Sequence, residues 1–347
     1  MSKKSILSYF QSSLLFALMA LPIGYWIGGF MGMYSMAILA ILEVSLSVDN
    51  AVVNAKILSS WDHKWRQRFI LWGMIIAVFG MRLVFPILIV SVTTALSPVD
   101  VLSMAASHPD QYAAALQAVH HEVLAFGGAF LMMVALSFFL NQHKDEHWLS
   151  WFEKPMTKLG QIEAIEMALV LVTLYLISNQ MEIEQQLAVL KAGIFGLITY
   201  IAVKGFASLM SSGEEGDDAG EHIIKQGIGG FIYLEVLDAS FSFDGVIGAF
   251  ALSNNIFIIM LGLGIGAFAV RSITIMLVDK GTMSTYRYLE HGAFWAIFAL
   301  AFIMLIGLLI EIPEWFTGLL GAFMIVLALL SSIKANKKDV DGKSFAY

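Results

Sequence analysis

Two short stretches hold the residues best equipped for chemistry. "EVSLSVDNAVVNAK" begins at Glu43 and sets Glu43, Asp49 and Asn50 inside an otherwise apolar run. "DASFSFDGVIGAF" begins at Asp238 and repeats the form: Asp238 aligns with Glu43, Ser242 with Ser47, and Asp244 with Asp49. Glu235 lies just ahead of this second copy. The match extends into the following segments. "WGMIIAVFGMR" from Trp72 aligns with "LGLGIGAFAVR" from Leu261, so that Gly73 meets Gly262 and Arg82 meets Arg271.

Carboxylates, amides and hydroxyls are hard oxygen donors, suited to Mg²⁺, Ca²⁺ and Mn²⁺. The chain has no cysteine and the repeat has no histidine, which makes Zn²⁺ and Cu⁺ poorer fits. A thioether cluster, Met31, Met33 and Met36, reads as apolar filler rather than a copper site. A charged side chain inside a bilayer costs about 2.5–3.5 kcal/mol on insertion scales. Glu43, Asp49, Glu235, Asp238 and Asp244 must therefore face protein, water or an ion. Arg82 and Arg271 are the expected counter-charges or gates of an empty site. A purely structural ion-pair network is the rival reading of the same residues.

Helical periodicity places Glu43, Ser47, Asn50 and Asn54 on one face. Asp49 lies about 120° away from that face. Either the two acids address different neighbouring helices, or the helix loosens near Ser47. Gly245 and Gly248 suggest a break in the second copy as well.

The elements that must position these residues are membrane spans. The chain is 59% hydrophobic and only 14% charged, about half the charged share usual in soluble proteins. Its apolar runs are long enough to cross a hydrocarbon core as helices. They predict about ten spans, at 8–28, 34–55, 68–92, 119–140, 162–181, 187–208, 227–250, 256–278, 289–310 and 314–333. The fold class is thus all-α, a polytopic membrane protein. With the N-terminus inside, the basic residues fall on the inner side, save Lys191 outside and Arg82 and Arg271 within spans. That asymmetry predicts an inner, cytoplasmic membrane location with both termini cytoplasmic. Span two then runs inward and span seven outward, so the two copies form an inverted repeat, a recurring transporter architecture. The expected organisation is a first transmembrane half, 1–210, an acidic cytoplasmic linker, 211–226, and a second half with a cytoplasmic tail, 227–347.

At these residues the sequence resembles the TerC family of integral membrane proteins, within the LysE transporter superfamily. That family carries an E-x5-D-N motif in one half and an E-x2-D-x5-D-S motif in the other. Here they read Glu43, Asp49, Asn50 and Glu235, Asp238, Asp244, with Gly245 in place of the family serine. The resemblance implies Mn²⁺ export, where the residues alone imply a hard divalent cation.

Other motifs carry less. His120, His121 and Glu122 read as an interfacial collar, and "HKDEH" from His143 to His147 as a solvated loop. Glu163 and Glu166 lie at the start of span five near the inner surface, where a place on the central pathway is the weaker reading of Glu166. Nothing supports ATP-driven transport or a catalytic triad, and an enzyme is not expected. The expected function is export of a divalent cation, Mn²⁺ ahead of Ca²⁺ or Mg²⁺. The alternative is a membrane scaffold of a tellurite or metal stress-response complex. The expected partners are the lipid bilayer and the metal ion, not nucleic acid, with a homo-oligomer or stress-response proteins left open.

Overall fold

The computed structural model describes residues 5–142, 144, 146–211, 226–250 and 252–344. For Thr93, Ser211, Phe243, Asp244, Ile247, Glu314, Trp315 and 338–344 it describes the backbone alone. The acidic linker therefore lies outside the described residues, except for its ends.

Every element among the described residues is a helix: α1 (Gln11–Leu46), α2 (Val48–Ser59), α3 (His63–Ile75), a π-helical segment (Ile76–Val84), α4 (Phe85–Thr94), α5 (Pro98–Ser107), α6 (Pro109–Ala118), α7 (His120–Phe139), α8 (Ser150–Leu159), α9 (Ile165–Ser178), α10 (Ile183–Ser211), α11 (Ile228–Ala249), α12 (Ile256–Asp279), α13 (Leu289–Ile306) and α14 (Glu314–Ser344), with two further single turns. Among the described residues, seven helices are long and apolar enough to cross a membrane. The protein is an all-α, polytopic membrane protein.

The remaining expected spans have identifiable forms. Helix α1 folds into two arms at Gly28 and Gly29, whose backbone leaves the helical region. Gly29 has φ 61° and ψ −153°, a conformation nearly restricted to glycine. The arms turn back on each other: a Cβ at Gly32 would lie 2.5 Å from the Gly24 carbonyl oxygen. A straight helix would separate those residues by about 12 Å. Expected spans one and two are thus the arms of a hairpin joined by a two-glycine turn. Span five is the 14-residue α9, and span seven is α11, which carries Glu235, Asp238 and Asp244.

Local signals fix several starts. The Asp62 side chain accepts from the Trp65 N–H at 2.8 Å and caps α3. Asn255 caps α12 in the same way, accepting from Phe257 N at 3.0 Å and Ile258 N at 3.3 Å. Pro98 and Pro109 open α5 and α6, where a missing N–H costs nothing. Both helices lie in the segment that joins α4 to α7. They bury Val101, Tyr112 and Leu116 against Phe250 and neighbouring residues.

Two central helices organise the packing. Helix α7 is buried along most of its length and is flanked by α10, α13, α9 and α11. Helix α12 is wrapped by both arms of α1, by α2 and by the π segment. Phe16 of the first arm stacks on Phe268 of α12 at 4.3 Å. Outward-facing Leu18, Trp26, Val172, Phe195 and Leu319 form the apolar exterior that a bilayer would cover.

Candidate functional site

The first copy of the repeat breaks at Ser47. Its backbone (φ −117°, ψ 16°) separates α1 from α2, so Glu43 closes one helix while Asp49 and Asn50 open the next. The second copy does not break: α11 runs through Gly245 and Gly248 to Ala249. The expected interruption there is absent because glycine permits a bend but does not impose one.

Glu43, Ser47, Asn50, Asn54, Arg82, Asp238, Arg271 and Thr274 line one cavity of about 20 Å³, with Ala77, Ala267 and Val270. That volume admits one water-sized guest. Its walls come from α1, α2, the π segment, α11 and α12, so both halves of the chain build it. The Arg82 guanidinium pairs with Glu43 Oε1 and also donates to the Ala77 carbonyl oxygen. Ser47 Oγ donates to the same carboxylate oxygen at 3.2 Å. Asn50 Nδ2 donates to Asp238 Oδ1. The π turn bears on this arrangement, since it lies between Ala77 and Arg82, and such turns concentrate at functional positions.

Behind the cavity, Arg271 Nη2 lies 4.0 Å from Glu235 Oε1, and its guanidinium carbon lies 4.0 Å from the centre of the Phe69 ring. Gly73 admits this pair: a Cβ there would lie 2.4 Å from Arg271 Nη2 and 2.5 Å from Glu235 Oε1. Gly266 does the same for Glu43, whose Cβ a side chain at 266 would meet at 2.4 Å. The aligned helices therefore exchange partners across the repeat, with α12 against α1 and the α3–π region against α11. Gly245 faces the same carboxylate: a Cβ there would lie 3.8 Å from Glu43 Oε2.

The six expected ligands are not gathered in one sphere. Glu43, Asn50 and Asp238 share the cavity, and Glu235 stands behind it against Arg271. Asp49 faces a second cavity of about 20 Å³, lined by Leu46, Phe241, Gly245, Ala296, Leu300, Thr317, Gly318 and Gly321. The Asp244 side chain lies outside the described residues. Among the described residues, no three His, Asp or Glu side chains converge as a metal-binding group. At the cavity wall acids and arginines are equal in number, Glu43 and Asp238 with Arg82 and Arg271.

The cavity retains unused acceptors. Asn50 Oδ1 and Asn54 Oδ1 are buried with no hydrogen-bond partner. Arg82 Nε and Arg271 Nη1 are buried without a hydrogen-bond partner on the same cavity. Buried polar groups are normally satisfied, so these orphans ask for a small polar guest. Asn54 shares the face of Glu43 in the helical pattern. Thr274 was missed, although it lies one turn beyond Arg271 on α12.

The set-aside motifs remain apart from this cavity. The His120 and His121 rings stand 6.3 Å apart, and His147 Nε2 lies 3.3 Å from Thr157 Oγ1. His143 lies outside the described residues. Glu166 and Lys204 line a different cavity. The "HKDEH" loop is not wholly solvated, because Lys144 is pinned to the fully buried Glu153 at 2.9 Å. His291 Nε2 lies 3.5 Å from Glu153 Oε2, and Trp295 Nε1 donates to Glu153 Oε1 at 3.2 Å. Burial pushes the Glu153 carboxyl up, but the Lys144 hydrogen bond and the charges of His291 and Lys144 outweigh it and hold it below its ordinary range. Burial alone pulls the Lys144 ammonium down, and Glu153 only partly restores it. The residues of this cluster are too far apart in sequence for any local motif to have signalled it.

No curated protein and no solved structure matches the chain. Residues 48–339 match the family described as a protein of unknown function, DUF475, a stretch that covers both copies of the repeat except Glu43 and its helix. The chain belongs to that family.

Proposed function

We propose that this protein moves a divalent metal cation across the membrane, with Mn²⁺ as the leading cargo and the Glu43–Asp238 cavity as its central site. The observation that carries the reading is the pair of orphaned oxygens, Asn50 Oδ1 and Asn54 Oδ1, beside two carboxylates in a cavity sized for one guest. Glu43, Asp238, Asn50, Asn54, Ser47 and Thr274 supply a set of hard oxygen donors. In the described conformation Arg82 takes the place of a cation at Glu43. An arriving dication repels that guanidinium and releases the carboxylate. When the cation leaves, Arg82 returns and keeps Glu43 from standing as an unpaired buried charge. The inverted repeat provides two related ways of opening around one site. The resemblance to the TerC family supports Mn²⁺ and the outward direction. The distribution of basic residues supports an inner-membrane location with cytoplasmic termini.

A second reading is favoured by one observation: Arg82 and Arg271 match Glu43 and Asp238 in charge. On that reading the protein is a membrane scaffold and its buried acids are structural.

Flux of Mn²⁺, Ca²⁺ and Mg²⁺ into proteoliposomes separates the two. Transport predicts saturable Mn²⁺ flux that Glu43→Gln and Asp238→Asn abolish at normal membrane abundance. A scaffold predicts no flux and no metal binding by the purified protein.

A further inference from the structure

A third cavity, of about 340 Å³, lies between α7, α9 and α10, away from both acidic cavities. It reaches the size of small-molecule sites, which begin near about 300 Å³. Glu166, in the first turn of α9, and Lys204, near the end of α10, both line it. Among the described residues neither forms an ion pair. The Lys204 ammonium donates to Tyr200 Oη at 3.2 Å, and Glu166 has no corresponding partner. Two opposite charges thus face one space without meeting. Such charges ordinarily close on each other where water is scarce. Here they stay apart, leaving room for a molecule that carries both signs.

Met133, Met167 and Ile201 complete the wall and give it an apolar flank. Ile201 and the neighbouring Ile198 are 45% and 49% exposed on a face that a bilayer would cover. The guest therefore carries acyl chains as well as two charges.

We propose that this cavity binds the headgroup of an ethanolamine phospholipid. Its phosphate lies at Lys204, its ammonium at Glu166, and its chains run along the apolar flank. Pockets between membrane helices that carry basic residues are established headgroup sites. Glu166 adds selection, because an anionic headgroup leaves that carboxylate unmatched. This inference needs only the membrane setting and stands apart from the identity of any transported ion.

The test is native mass spectrometry of the purified full-length chain with equimolar phosphatidylethanolamine and phosphatidylglycerol. The wild type is expected to retain the ethanolamine lipid by about fivefold, the worth of one interfacial charge. Glu166→Gln should erase that preference while keeping total lipid, and Lys204→Gln should lower both lipids. Glycerophosphoethanolamine, which has the headgroup without chains, should not compete at equal concentration. Equal retention of the two lipids by the wild type, or an unchanged preference in Glu166→Gln, overturns the proposal. Effective competition by the chain-free headgroup overturns the assignment to a lipid.

Discussion

Arg82 bridges the Glu43 carboxylate and the Ala77 main-chain carbonyl, so the charge most able to hold a cation is already occupied by a fixed one. Both residues are almost wholly buried, at 2% and 3% exposure. Removing one partner of such a pair leaves an uncompensated charge, at a cost of about 3–5 kcal/mol.

Arg82→Gln is therefore expected to destabilise the cation-free protein by about 3–5 kcal/mol. If the guanidinium competes with cargo, added Mn²⁺ should restore more stability to the variant than to the wild type. Thermal unfolding in detergent, with and without Mn²⁺, measures this. An equal response of the two proteins would mark the pair as structural and count against the transport reading.

The turn between the arms of α1 gives an independent prediction about the fold. Gly29 has φ 61° and ψ −153°, where any Cβ is strained although nothing lies within 4 Å of it. Gly29→Ala should cost about 1–3 kcal/mol, entirely through the backbone. A lowered thermal midpoint with unchanged metal response is the expected result. An unaltered midpoint would show that the turn adopts another conformation.

The all-α, multi-span character was legible because the apolar runs are long, although among the described residues seven helices, against ten expected spans, are long and apolar enough to cross a membrane. The meeting of Glu43 with Asp238 was legible in the repeat. Periodicity left two readings open for Asp49, and both operate: the helix breaks at Ser47, and Asp49 turns to α13 and α14. Sequence spacing could not choose, because the angle between the two acids depends on that break. The turn at Gly28 and Gly29 and the π segment were not visible either, since each depends on tertiary packing more than composition. The Lys144–Glu153–His291 cluster joins residues nearly 150 positions apart, and no local pattern encodes it.

That cluster predicts a pH dependence. Glu153 has its carboxyl held below the ordinary value of 4.5. Its contribution to stability is complete above pH 4.5 and is lost as pH falls through the lower folded value. Lys144 acts on the alkaline side: burial lowers its pKa below 10.5, so the cost of its charge is relieved as pH rises through the folded value. Glu153→Gln should flatten the acid limb of a stability–pH profile. At pH 7 it should also destabilise by about 3–5 kcal/mol, because Lys144 loses its buried partner. An acid limb as steep as that of the wild type would place the responsible carboxylate elsewhere.

The last prediction separates the two acidic cavities. Glu43 and Asp49 lie six residues apart, yet the break at Ser47 sends them into different spaces with different walls. Asp49 Oδ1 accepts from the Asn50 N–H at 2.9 Å, and among the described residues no arginine or lysine lines its cavity. A cation held by Glu43, Asp238 and Asn50 should therefore bind without any direct contribution from Asp49. Glu43→Gln should remove Mn²⁺ binding by the purified protein. Asp49→Asn should leave the affinity within about threefold, under 1 kcal/mol by the relation of free energy to affinity, while lowering flux. The neutral amide retains the shape and the acceptor of the carboxylate, so folding should survive. Metal titration and flux measured on the same two variants decide the matter. If Asp49→Asn loses Mn²⁺ affinity as fully as Glu43→Gln, the two acids share one coordination sphere in the loaded protein, and the division between cavities belongs to the empty state alone.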